Sequence, residues 1–312
     1  MYKFSLGNFI SESNQLLENV EIAYHIFGEL APEKKVIWVC HALTANSDAQ
    51  DWWPNFIGEN LTLDTEKYTI VCANILGSCY GTSFQKQEKL PLITISDMVK
   101  LHQELAKFLQ ISEIELLLGG SLGGMQCLEW AIAEPDFIKK LFVIATNAKH
   151  SAWGIAFNEA QRMALELGEN GIDAARAIAM LSYRNYATFE ATQTDEEEKL
   201  ENYRAASYQR HQGEKLRKRF SKESYFMLSK AMDSHHLGRG RNSLENALSQ
   251  ITAETLVIGI DSDILFPVSE QKFIAEHIKN SKLEVISSLY GHDGFLIETD
   301  KISTLLKKHF NL

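Results

Sequence analysis

The run Gly119-Gly120-Ser121-Leu122-Gly123-Gly124 follows the apolar stretch Ile114-Glu115-Leu116-Leu117-Leu118 and leads straight into Met125–Ala131. A strand, a sharp turn and a helix in that order leave few folds open. The turn holds Ser121 at its apex in a sparsely populated backbone conformation, so small neighbours are needed on both sides. Gly119 and Gly123 supply them, and Gly120 and Gly124 relax the crowding further. This is the G-x-S-x-G nucleophile elbow, which pushes a hydroxyl into a cleft and aims a helix N-terminus at it. The amide of Leu122 then points to where an oxyanion would form.

The surrounding pattern agrees with such an elbow. Short apolar or β-branched runs recur at Val36–Cys40, Tyr68–Ile75, Ile114–Gly119, Leu141–Thr146, Thr255–Ile260 and Leu283–Ser288. Helical patterns at Thr94–Leu109 and Leu122–Ala133 separate several of them, and Thr94 with Asp97 resembles a capping pair. Near-continuous apolar strands alternating with helices predict an α/β fold: a mostly parallel sheet with helices on both faces. Tyr2–Phe4 and Val20–Phe27 are expected to add an antiparallel edge. From Thr146 to Ile251 the strand signal stops, and Ile155–Leu167, Ile172–Tyr186 and Ser221–Met232 read as helices, with an acidic run at Asp195–Lys199. At 312 residues, one large domain with an insertion fits better than two equal domains. The expected division is a core of 1–146 and 251–312, with a helical cap over 147–250 above the sheet's ligand-binding edge.

Composition narrows the partners. A net charge of −10 argues against a nucleic-acid partner. No apolar run approaches the ~18 residues that span a bilayer, and the first residues carry no signal pattern, so no membrane partner is expected. Lys215–Arg219 and Arg239-Gly240-Arg241 are local basic stretches, read as solvated helix face or turn, or as a seat for the phosphates of a large anionic cosubstrate. The four cysteines (Cys40, Cys72, Cys79 and Cys127) form no C-x-x-C pair, which suits reduced thiols and a cytoplasmic address. No metal site is expected, because the adjacent His235 and His236 diverge by about 100° on a helix. The apolar helix Ile172–Leu181 offers a face for a homodimer.

A serine nucleophile needs a base and an orienting acid, which follow it in the order acid, then histidine. Of ten histidines, His292 lies in the glycine-flanked loop Tyr290-Gly291-His292-Asp293-Gly294-Phe295, after the last strand and before a C-terminal helix. That is where an accessible imidazole would reach Ser121. Asp261 and Asp263 both follow the strand Thr255–Ile260, and spacing favours Asp263 only slightly. The second oxyanion donor is expected in Val39-Cys40-His41-Ala42-Leu43-Thr44, from the N–H of Leu43 or Ala42, with His41 holding the turn.

Several ordered blocks carry a resemblance: His41-Ala42-Leu43-Thr44, Asn74–Thr82, Gly119–Trp130, Tyr183-Arg184, Asp263-Ile264-Leu265-Phe266-Pro267 and Gly291-His292-Asp293. Over nearly its whole length the chain resembles the homoserine O-acyltransferases of the α/β-hydrolase superfamily, and among them the acetyl-transferring members. The resemblance implies an α/β-hydrolase fold and acetyl transfer from acetyl-CoA, a cosubstrate rather than a bound cofactor, to homoserine in methionine biosynthesis. It places a catalytic triad on Ser121, Asp263 and His292, which decides between the two aspartates. It also implies oxyanion amides on Leu43 and Leu122, and homoserine-binding groups on Arg184 and Asp293. The loop after Gly81 is shorter than is usual in that family, the cap lacks an aromatic, proline-rich stretch before Ile172, and Gly294 stands where alanine is usual. These departures touch the tunnel and lid, and with them the choice of acyl donor. Alternatives on the same machinery are a succinyl-CoA-dependent or serine-directed acyltransferase, or an esterase or thioesterase.

Overall fold

The computed structural model describes residues 1–168 and 170–311. Glu169, inside the expected cap, and Leu312, at the end of the expected core, lie outside the described residues. The chain opens with strands β1 (Tyr2–Ile10), β2 (Leu16–Phe27) and β3 (Lys35–Cys40), the short helix α1 (Ala49–Trp52), and two short strands, β4 (Ile57–Gly58) and β5 (Leu63–Asp64). Strand β6 (Tyr68–Ala73) and helix α2 (Ile95–Phe108) lead to β7 (Ile114–Gly120), α3 (Leu122–Ala133) and β8 (Ile138–Ile144). Among the described residues, six helices follow without a strand: α4 (Ala152–Glu166), α5 (Gly171–Tyr183), α6 (Tyr186–Gln193), α7 (Arg204–Arg217), α8 (Lys222–Asp233) and α9 (Leu244–Leu248). The chain then returns through β9 (Glu254–Ile260), α10 (Val268–His277), β10 (Ser281–Ile286), α11 (Gly294–Ile297) and α12 (Thr299–Phe310).

Eight strands form one sheet in the order β1-β2-β6-β3-β7-β8-β9-β10. The pairs β1–β2 and β2–β6 are antiparallel, and every pair from β6 to β10 is parallel. The expected antiparallel edge is present, and its first strand runs on to Ile10. Parallel strands covered on both faces need apolar side chains on both, and β7 is buried along its whole length. Helix α3 behaves likewise: its residues from Leu122 to Ile132 are all buried, so it is a core helix rather than an amphipathic one.

Local signals set the ends of these elements. Thr94 caps α2 through a reciprocal box with Asp97, whose carboxylate also accepts the N–H of Glu12 and so ties the first hairpin to the helix. Helix α5 stops at Tyr183 rather than running to Tyr186, because Asn185 and Thr188 form a capping box that starts α6. Helix α7 was not expected: only Gly213 and Leu216 of its residues are buried, so its sequence shows no apolar stripe. Among the described residues no helix is long and apolar enough to cross a membrane.

Candidate active site

Ser121 sits where β7 turns into α3, with φ 55° and ψ −125°, a conformation that costs a non-glycine residue on the order of 1–3 kcal/mol. Three hydrogen bonds hold it there. Its N–H donates to Ile144 O at 3.0 Å, and its carbonyl accepts from Thr146 Oγ1 at 2.8 Å and from the Met125 N–H at 3.2 Å. The flanking glycines are required for close approach rather than for unusual torsions of their own. A Cβ on Gly123 would lie 2.1 Å from the carbonyl oxygen of Cys40. That contact brings the start of α3 against the loop after β3, so the Leu122 and Leu43 amides share one region. Among the described residues no acceptor takes either N–H.

The histidine arrives from the opposite end of the chain. Gly291 has φ +59°, and its missing side chain leaves room for Tyr183 O, letting a single 3-10 turn over Gly291–Asp293 present the imidazole. His292 Nε2 stands 2.9 Å from Ser121 Oγ, and its Nδ1 stands 2.7 Å from Asp263 Oδ2. The other carboxylate oxygen, Asp263 Oδ1, accepts the N–H groups of Leu265 and Phe266 at 2.8 and 2.9 Å. An ionised carboxylate can only accept, so Nδ1 carries the proton and Nε2 is left as an acceptor for the serine hydroxyl. Phe266, Phe295 and Tyr183 pack around the ring at 5.0, 5.3 and 5.6 Å between centroids. Asp261 is exposed, and among the described residues its carboxylate accepts only the Ser288 N–H, not a hydrogen bond from the imidazole.

His41 holds its loop as a neutral ring. Its Nδ1–H donates to Ala42 O at 2.9 Å while Nε2 accepts the Ile75 N–H at 3.1 Å, and burial lowers its pKa to about 4. The loop that carries Leu43 is therefore bolted to the end of β6.

Ser121 and His292 open onto a cavity of about 630 Å³ between the loops at the sheet's edge and helices α5 and α7. Leu43 and Asp293 also line it, whereas Leu122 and Asp263 are not among its lining residues. Arg184 is not part of the lining either: its Nε bonds Asp293 Oδ2 at 2.7 Å, and its guanidinium lies over the Tyr290 ring. Two other arginines do line the wall, Arg219 and Arg176, and the Arg176 guanidinium lies over Tyr183, seven residues on along the same helix. Arg176 and Trp52 had no place in the sequence-based site; the two-turn spacing from Tyr183 was the available signal for the arginine. Of the basic stretches, Arg239 and Arg241 are engaged by Glu12 and Glu129, whereas Lys215 and Arg219 face the cavity.

A serine at a strained strand-to-helix turn, hydrogen-bonded to a carboxylate-oriented histidine on a mostly parallel sheet, defines an α/β hydrolase. The family model described as the alpha/beta hydrolase fold matches residues 35–299. Two relatives, both named homoserine O-acetyltransferase, come from Cyclobacterium marinum and Trichormus variabilis. They are 41% and 39% identical, over 96% of this chain and 92% and 90% of their own lengths. A crystal structure of homoserine O-acetyltransferase from Staphylococcus aureus superposes with a TM-score of 0.88 at 28% identity, covering 100% of this chain and 95% of that one. The chain belongs to the homoserine O-acetyltransferase family.

Proposed function

We propose that this chain moves an acetyl group from acetyl-CoA to the hydroxyl of L-homoserine, a step in methionine biosynthesis, by a ping-pong acyl-serine mechanism. The observation that carries the reading is the Ser121–His292–Asp263 relay opening onto a pocket beside Asp293, in a chain whose relatives are named for this reaction. His292 Nε2 takes the proton of Ser121, and Oγ attacks the thioester carbonyl. The N–H groups of Leu43 and Leu122 donate to the oxyanion of the tetrahedral intermediate. The C–S bond breaks, coenzyme A leaves as the thiol with the proton from His292, and Ser121 holds the acetyl group. The homoserine hydroxyl then gives its proton to His292 and attacks the acetyl carbonyl; the bond to Ser121 Oγ breaks, His292 returns the proton to that oxygen, and O-acetylhomoserine leaves. Asp263 holds the imidazole in its Nδ1–H form and stabilises the imidazolium in both halves.

The acceptor must outcompete water. Water at ~55 M against an amino acid at ~1 mM is a disadvantage of roughly 10⁵, or about 7 kcal/mol, within what positioning supplies. A zwitterion offers two charged handles: its ammonium replaces Arg184 as the partner of Asp293, and the released Arg184 guanidinium turns into the cavity to take its carboxylate. Residues 147–250 act as a lid that excludes water from the acetyl-serine, above a core of residues 1–146 and 251–312. The reading also places the protein in the cytoplasm as a homodimer, which its four unpaired cysteines and the exposed Met163 and Leu181 on α4 and α5 favour.

The test is thiol release from acetyl-CoA and succinyl-CoA, each with homoserine, with serine and with no acceptor. Release from acetyl-CoA that requires homoserine supports the reading. Equal steady release without an acceptor makes the protein a thioesterase, and release only with succinyl-CoA or serine moves it to the corresponding acyltransferase.

A further inference from the structure

We propose that Lys215 and Arg219 form a clamp on the cavity wall for the phosphate groups of the acyl-CoA donor; the inference rests on an acyl-CoA being that donor. The run Lys215-Leu216-Arg217-Lys218-Arg219 ends α7, and its four cations divide into two sets. Arg217 pairs with Asp173 at 2.8 Å and Lys218 with Glu214 at 2.7 Å. Lys215 and Arg219, one turn apart, line the cavity that holds Ser121, and among the described residues neither has a carboxylate within 4 Å. Cations at a helix C-terminus offset the helix dipole, which accounts for a basic run but not for this division within it.

Arg219 is also held in place. Its Nη1 donates to Thr44 O at 2.5 Å and to Tyr80 Oη at 2.7 Å, leaving Nη2 and Nε without partners among the described residues. A planar guanidinium fixed on one edge presents its other edge as a ready fork for phosphate oxygens. The charge balance of the wall points the same way. Arg176, Lys215 and Arg219 face Asp51 and Asp293, and Asp293 already has Arg184. Three cations against one free carboxylate, in a chain of net charge −10, mark this wall for an anion larger than a single carboxylate. A thioester that delivers its carbonyl to Ser121 through a narrow pantetheine arm carries such an anion at its other end.

The test uses Lys215→Glu, because Arg219 also braces the loop that carries Leu43. Donor kinetics are measured with acetyl-CoA and with S-acetyl-pantetheine, which has the same thioester and no phosphates. Binding of coenzyme A to wild type and variant is measured by calorimetry, with Lys218→Glu as the comparator on the paired side of the run. The expected result is a KM for acetyl-CoA about tenfold or more higher in Lys215→Glu, with kcat/KM for S-acetyl-pantetheine within twofold. Rising salt should narrow the gap between wild type and variant. Equal loss with both donors, or no loss with acetyl-CoA, overturns the clamp. Should the wild type prove inactive with acetyl-CoA yet bind coenzyme A in a Lys215-dependent way, the proposed reaction fails and the clamp stands. Absence of coenzyme A binding overturns both.

Discussion

Arg184 Nε and Asp293 Oδ2 lie 2.7 Å apart, so the two side chains assigned to opposite ends of the acceptor are partners of each other. Both are largely buried. Separating them without replacements would leave charges unpaired at a cost of roughly 3–5 kcal/mol. A zwitterion replaces both partners at once, giving Arg184 a carboxylate and Asp293 an ammonium. Water and neutral alcohols replace neither. On the proposed reading the ion pair is a filter as well as a binding site.

Removing either member should separate the two half-reactions. In Arg184→Ala and Asp293→Asn, the burst of thiol from acetyl-CoA should stay within a few-fold of wild type. Transfer to homoserine should fall about 10- to 100-fold, the range for one charge-assisted hydrogen bond. 4-Hydroxybutyrate, which lacks the ammonium, should be a poorer acceptor than homoserine by a similar factor with the wild type. Stopped-flow thiol release set against product formation reads both effects.

Asp263→Asn should be nearly inactive while staying folded. The Leu265 and Phe266 N–H groups need an oxygen facing them, so the amide oxygen turns toward them and the NH₂ toward His292. The imidazole then moves its proton to Nε2 and can no longer accept from Ser121. A loss of about 10⁴ in kcat is expected, with unfolding midpoints little changed. Ser121→Ala should leave no more than about a thousandth of wild-type turnover and no thiol burst.

Gly123→Ala tests the oxyanion geometry. Its Cβ would meet backbone atoms on Cys40 rather than a flexible side chain, so α3 or the loop after β3 must move. Losses of about 100-fold or more in kcat are expected, as when one oxyanion donor is removed. Thermal melts should show destabilisation of a few kcal/mol, on the order of an overpacked core. A variant with full activity would contradict the placement of the Leu43 and Leu122 amides.

Acid should weaken the fold through three buried histidines. Burial lowers His41 and His150 to about 4 and His235 to about 3, against an ordinary value of 6.5. Between these values the unfolded chain binds protons that the folded state refuses, so stability falls as pH drops below about 6.5. Each histidine contributes a slope of up to about 1.4 kcal/mol per pH unit. Urea midpoints at pH 7.5, 6 and 5 should decline accordingly, and His235→Gln should give a shallower decline. A flat profile from pH 7.5 to 5 would mean that the rings are not held neutral.

The elbow was legible in the sequence because its sterics allow so few residues: glycines at 119 and 123 answer to backbone atoms, not to taste in packing. Helix α3 starts and ends at the expected Leu122 and Ala133 because the serine turn fixes one end. His292 and Asp263 could be narrowed by their place after particular strands, and the family resemblance chose between Asp261 and Asp263. Helix α7 was hidden by its polar composition, since packing on one glycine and one leucine leaves no periodic signal. Arg176 was hidden for a related reason, because an arginine on an amphipathic helix reads as a solvated face. The pairing of Arg184 with Asp293 is a tertiary contact between two loops, and nothing in either local sequence announces it.

Ser121 and the imidazole that would activate it are 171 residues apart in the chain. Leu43, Ser121, Asp263 and His292 each follow a different strand, and His292 follows β10, the last strand of the sheet in chain order. On a ribosome adding roughly 5–20 residues per second, the serine emerges on the order of 10–30 s before its base. During that interval the nascent chain carries the serine without the imidazole that would deprotonate it. On the proposed mechanism, chemistry waits for the loop after β10, and a half-made copy cannot squander thioester.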